Sequence, residues 1–147
     1  MSQHGAPEQN PGFLLWRTTL SWQRRIRAAL SPHDLTHVQF VLLASLWWLQ
    51  DQGRQQPTQA QLAEQASTGL TMTSQVIRKL QARGLVQRQA DCTDARAWRL
   101  RLTAAGGELL AVALPAVEAA DQEYFAALGE QHDAFLAGLA TLTAHHR

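Results

Sequence analysis

The sequence predicts a mainly α-helical protein with one small β-hairpin, and three observations point to it. Apolar residues recur at helical spacing along most of the 147 residues. The stretch ADCTDARAWRLRLTAAG, residues 90–106, breaks that rhythm. After a turn-prone opening, Trp98, Leu100 and Leu102 alternate with Arg99 and Arg101, the period of a strand with one apolar and one basic face. Directly upstream lie two short helical segments joined by a turn. Two such helices followed by a two-stranded hairpin describe a winged helix-turn-helix.

Each element has its own local cause. Residues 1–12 are polar and rich in Gly and Pro, and are expected to form a flexible arm. Residues 13–30 read as a helix with Leu15, Trp22, Ile26 and Ala29 on one face, broken by SPHD. Thr36 then caps a second helix, with Gln39 at the third position and Leu35 facing Phe40, a capping box with a hydrophobic staple. This helix, to about residue 50, is apolar over most of its circumference and should be central. After the loop DQGRQQP, Thr58 caps a short helix with Gln61 again at the third position. STGL turns the chain into a helix over 71–83, ended by Gly84, with Met72, Val76, Ile77 and Leu80 as its apolar positions. LVQRQA and AWRLRL are the two strands. A long Ala-rich helix starts at Thr103, with a kink expected at Pro115. A last helix spans about 130–144, with Phe135, Leu139 and Leu142 on one stripe.

The formal net charge is only +1, which excludes a bulk polycation but not a local basic patch. Residues 78–101 hold Arg78, Lys79, Arg83, Arg88, Arg96, Arg99 and Arg101 against Asp91 and Asp94. Residues 108–133 hold Glu108, Glu118, Asp121, Glu123, Glu130 and Asp133 with no Lys or Arg. A basic module thus adjoins an acidic one. Either both are solvated faces, or the basic one lies on a duplex, where phosphate neutralisation dominates affinity. The single cysteine, Cys92, cannot form an internal disulfide. The N-terminus lacks a signal-peptide pattern, and the longest apolar run, residues 40–49, is too short to span a bilayer. A cytoplasmic protein is expected. No nucleophile–base pair, Gly-rich phosphate loop or paired carboxylates suggest an enzyme, and no cofactor is implied.

Three segments resemble the MarR family of bacterial transcription regulators. LTHVQFVLL (residues 35–43) is similar to the opening of the family's second helix. TQAQLAEQASTGLTMTSQVIRKLQARGLVQR (58–88) is similar to its helix-turn-helix. DARAWRLRLTAAG (94–106) matches its wing signature, Asp-x-Arg, six residues, then Thr-x-x-Gly. The resemblance implies one domain over 13–147, with the winged helix-turn-helix at about 35–103 and dimerisation helices at about 13–30 and 104–146. It further implies a homodimer on a pseudo-palindromic double-stranded DNA operator, usually repressing, and released by a small aromatic effector.

Carried onto this chain, Thr71, Thr73, Ser74, Gln75, Arg78 and Lys79 fall on the outer face or start of the recognition helix, where they would meet bases or phosphates. Arg96 would reach the minor groove from the wing tip. Asp94 would orient a nearby arginine or pin the wing; its plainer role is a turn residue. Arg99 and Arg101 face either the DNA backbone or solvent. Trp16, Trp22, Trp47 and Trp48 line a ligand pocket or, as aromatic stripes more often do, a dimer core. Cys92 does not match the family's sensing cysteines, and His33 with His37 lacks a third converging metal ligand. The competing reading is a winged-helix protein–protein adaptor, or a small-molecule-binding dimer, that does not bind DNA.

Overall fold

The computed structural model describes residues 5–53, 55–94 and 96–147. Its elements are α1 (Pro11–Leu30), α2 (His37–Gln52), α3 (Gln59–Ala66), α4 (Leu70–Ala82), β1 (Val86–Ala90), β2 (Trp98–Leu102), α5 (Ala104–Phe125) and α6 (His132–His145). The strands pair antiparallel, with Val86 opposite Leu102 and Ala90 opposite Trp98.

The described part of the N-terminal region carries more secondary structure than its composition suggests. Pro7–Gln9 forms a 3-10 turn, and α1 starts at Pro11, ahead of the expected residue 13. Asn10 caps it by accepting the Phe13 N–H at 3.0 Å, and Pro11 fits the first helical position, where no N–H is needed. Residues 1–4 lie outside the described residues. Both expected capping boxes are present, Thr36 with Gln39 and Thr58 with Gln61. Leu35 and Phe40 are both buried, as a staple requires. α5 runs as one element through Pro115; the break in the C-terminal helices comes instead at Gly129, whose φ is +54°.

α2 sits at the centre. Its Phe40, Leu42, Leu43 and Leu46 meet Ile26 and Leu30 of α1, Leu62 of α3, Ile77 and Leu80 of α4, Leu100 of the hairpin, and Leu110, Ala113 and Val117 of α5 in one buried cluster. One turn before Ile26 on the same face of α1, the Trp22 indole N–H donates to Asp121 on α5 at 2.8 Å, and its ring packs edge-on against His37, centroids 5.1 Å apart.

The hairpin is joined to its neighbours at its base. Leu100 N–H donates to the Pro57 carbonyl at 2.9 Å, and Leu102 N–H to Gln50 Oε1 at 2.7 Å. Thr103 caps α5 by accepting the Gly106 N–H at 3.0 Å, and its own hydroxyl donates to the Gly84 carbonyl at 2.6 Å. Gly84 ends α4 with φ +74°, a left-handed conformation suited to glycine. A Cβ on Gly106 would stand 2.1 Å from the Leu85 carbonyl oxygen, whereas one on Gly107 would meet nothing within 4 Å.

Two predictions follow from this packing. Gly106→Ala should destabilise by about 1–3 kcal/mol, since the clash is with backbone that cannot rotate away. Gly107→Ala should stabilise by about 0.5–1 kcal/mol through helix propensity. Urea unfolding of both variants checks this, and similar shifts would refute the close approach. Separately, burial and then nearby Arg27 hold the His37 pKa below its ordinary 6.5, with Asp121 opposing them. The unfolded chain therefore takes up this proton first, and stability is lost as the pH falls through 6.5. The Tm of His37→Asn should fall less between pH 7.5 and 5 than that of the wild type; equal slopes would exclude His37 as a source.

Candidate nucleic-acid interface

α4 is amphipathic, and its inner face is Thr73, Ile77 and Leu80, all fully buried. This corrects the reading of Thr73 as an outer-face DNA contact. Thr73 shares a face with Ile77 and Leu80 by helical spacing, and its hydroxyl is bonded to the Gly69 carbonyl at 2.8 Å and to Thr68 Oγ1 at 2.6 Å. Met72, read as a core position, is instead half-exposed. Ser74 is half-buried, while Thr71, Gln75, Arg78 and Lys79 are exposed. Gly69 caps α4 with no side-chain hydrogen bond, so the first-turn amides have no side-chain acceptor.

The wing is organised by two aspartates. Asp94 Oδ1 accepts the Arg96 N–H at 3.0 Å, and the Asp94 carbonyl accepts the Ala97 N–H at 3.0 Å. Asp94 therefore pins the wing loop through backbone groups and leaves the Arg96 side chain exposed. Asp91 accepts from both the N–H and the hydroxyl of Thr93, each at 3.3 Å, and pairs with Arg99 at 3.4 Å. The backbone hydrogen bond from Thr93, with help from Arg99, holds the Asp91 carboxyl below its usual range despite partial desolvation.

These contacts sort the basic module. Arg99 also donates to the Gln56 carbonyl at 2.7 Å, tying the wing to the loop before α3, so it is neither a free DNA contact nor a merely solvated residue. Arg101 bonds Gln87 Oε1 across the hairpin at 2.7 Å. Arg88 stacks on Trp98, 4.2 Å from the ring centroid. Arg83 reaches Gln39 at 3.3 Å and Asp34 at 3.7 Å. Arg78, Lys79 and Arg96 have no such side-chain partner among the described residues. Gln39, which Arg83 reaches, and Gln56, to which Arg99 donates, lie more than forty positions away in sequence, so no local pattern revealed those two contacts.

The tryptophans do not gather into a cavity. Trp22 is held by Asp121 and His37, whereas Trp16, Trp47 and Trp48 are exposed by 62%, 46% and 48%. Hollows of about 550, 940 and 580 Å³ lie beside the hairpin, between α2, α3 and the C-terminus, and between α1, α2 and α4, and no tryptophan lines any of them. Cys92 is exposed. Among the described residues no three His, Cys, Asp or Glu side chains converge as metal ligands, and no helix is long and apolar enough to cross a membrane.

A helix-turn-helix with an uncovered polar and basic face, flanked by a pinned wing, defines a winged helix-turn-helix protein of the DNA-binding class. The chain belongs to the MarR family of transcriptional regulators: the family model matches residues 35–98, and the HTH-type transcriptional regulator YdcH of Bacillus subtilis is 44% identical over 98% of this chain and 97% of its own. An HTH-type transcriptional repressor of Mycobacterium tuberculosis is 36% identical over 80% of this chain and 81% of its own. Among solved structures, the repressor CouR bound to a 23-mer DNA duplex superposes with a TM-score of 0.84 at 26% identity, covering 97% of this chain and 99% of that one. The MepR–DNA complex of S. aureus has the same fold, with a TM-score of 0.82 at 21% identity, covering 92% of this chain and 98% of that one.

Asp94→Ala should loosen the wing without unfolding the protein. The Arg96 amide should exchange with solvent about fivefold to tenfold faster, the effect of one lost hydrogen bond of about 1 kcal/mol. Unchanged exchange at this amide would remove Asp94 from the role of wing pin.

Proposed function

We propose that the protein is a ligand-responsive repressor that binds a pseudo-palindromic operator as a homodimer in the cytoplasm. α4 would enter the major groove, with Gln75 and Arg78 at base edges and Lys79 on phosphate. Thr71, Ser74 and the open amides at the helix start would meet the adjoining backbone. Arg96 would extend from the wing into the minor groove. The observation that carries this reading is the sorting of cations: the fold engages Arg83, Arg88, Arg99 and Arg101 and leaves Arg78, Lys79 and Arg96 free among the described residues. An adaptor without DNA binding gives no reason for that selection.

Dimerisation is supported by surface the protomer cannot cover. No residue of α6 is buried, although it carries Phe135, Leu136, Leu139 and Leu142. Phe13, Leu14, Leu15, Trp16 and Leu20 of α1 are each 37% exposed or more. A two-fold partner would cover both sets and present two copies of α4 to successive grooves. Response to a small molecule is supported by likeness to BpsR of Bordetella bronchiseptica, whose DNA binding is regulated by 6-hydroxynicotinic acid, and to CouR of Rhodococcus jostii, solved bound to p-coumaroyl-CoA. Trp16, Trp47 and Trp48, exposed on one protomer, would face the partner or an effector lodged against it.

The test is operator binding across a salt series. Arg96→Ala should weaken binding and reduce the slope against salt by about one charge, with fold and dimer intact. Leu142→Asp should weaken dimer and DNA binding together in sedimentation and mobility-shift measurements. Wild-type behaviour of Arg96→Ala would take the wing out of the mechanism, and a compact monomer at micromolar concentration would refute the dimer.

A further inference from the structure

Outside its buried face, α4 also carries apolar side chains with nothing over them, and Met72 adjoins Gln75 and Lys79. Leu70 is 65% exposed and Met72 50% exposed. Packing within the protomer does not account for them, because the buried face of α4 is Thr73, Ile77 and Leu80. The proposed dimer would cover other exposed apolar groups, on the first half of α1 and on α6, but α4 is not one of those helices. No side chain screens the start of α4 either, since the Gly69 that precedes it is open to solvent.

Met72 precedes Gln75 by three positions and Lys79 by seven, so the three share one exposed stripe. An uncovered methionine and leucine among polar and basic groups lose water favourably only against another apolar group. In the major groove that group is the C5-methyl of thymine. We infer that Met72 is a specificity-determining residue that reads thymine methyl groups next to the base met by Gln75. The spacing suits this: three residues of helix advance about 4.5 Å, close to one base-pair step of about 3.4 Å. The thioether is flexible enough to follow a methyl on either strand. The inference rests on the reading that α4 enters the major groove, and it adds to that reading a preference for A·T steps under the start of the helix.

The full-length protein is first used to select its operator from random duplexes. Each thymine of the selected site is then replaced singly by deoxyuridine, which removes only the methyl. Wild-type protein should lose about fourfold in affinity at one or two positions in each half-site, the transfer free energy of one methyl group. Met72→Ala should abolish that loss at the matching position, because the methyl then has no partner, whereas Leu70→Ala, on the opposite flank of α4, should retain it. Both positions are exposed, so truncation opens no cavity, and unchanged melting and sedimentation check this. A selected operator with no methyl-sensitive thymine, or equal sensitivity in wild type and Met72→Ala, overturns the inference and leaves the repressor reading standing. Failure to select any sequence overturns the repressor reading and this inference with it.

Discussion

Thr103 holds the joint on which the rest of the interface depends. Its N–H donates to the Leu85 carbonyl at 3.1 Å, its hydroxyl donates to the Gly84 carbonyl, and the same oxygen accepts the Gly106 N–H. One side chain thus closes the turn after α4, ends β2 and starts α5. The backbones come this close because Gly106 has no side chain and Gly84 adopts a left-handed turn. The recognition helix, the wing and the first turn of α5 are therefore joined at one point. Leu110, Ala113 and Val117 of α5 in turn pack into the α2-centred core. A displacement of α5 would be transmitted to α4 and the wing through this joint, because packed interiors shift between discrete arrangements rather than deform.

The second organising choice is which arginines the fold uses internally. Composition makes the seven cations of residues 78–101 look alike. In the fold, Arg99 braces the wing base between Asp91 and the Gln56 carbonyl, Arg101 crosses the hairpin to Gln87, and Arg88 covers Trp98. These contacts use the features that make arginine stiffer than lysine, a planar fork and a stacking face. They fix the two strands from base to loop and leave the loop itself, pinned by Asp94, to present Arg96. The alternation of Trp98, Leu100 and Leu102 with Arg99 and Arg101 is thus explained: Leu100 is fully buried, and the basic face binds the hairpin to itself and to α3's approach.

Features with local causes were legible in the sequence, and features with distant causes were not. The capping boxes at Thr36 and Thr58, the strand period at Trp98 and the glycine stop after α4 each depend on neighbours within a few positions, and each is present. The start of α1 was equally readable from Asn10 before Pro11, a cap followed by a first-turn proline, but the polar composition of the arm hid it. Thr73 was misplaced because its residue type suggested a contact while its spacing to Ile77 and Leu80 put it inside. The hydroxyl is satisfied there by Thr68 and the Gly69 carbonyl. Arg99 could not have been placed, because Gln56 is brought to it only by the packing of α3 against the hairpin.

The division of charge completes the arrangement. Asp121 is half-buried against Trp22, but Glu108, Glu118, Glu123, Glu130 and Asp133 are exposed along α5, α6 and the segment that joins them. A duplex approaching those helices meets repulsion, while one approaching α4 and the wing meets Arg78, Lys79 and Arg96. With a net charge of only +1, overall attraction to DNA is slight, and orientation depends on the asymmetry between the two modules. On the proposed reading, such a molecule would hold non-specific sites weakly if Arg78, Lys79 and Arg96 supply most of its phosphate contacts. Specific binding must then draw more on contacts to base edges and methyl groups. The exposed face of α4, where Gln75 stands between the free cations and the uncovered Met72, is suited to supply them.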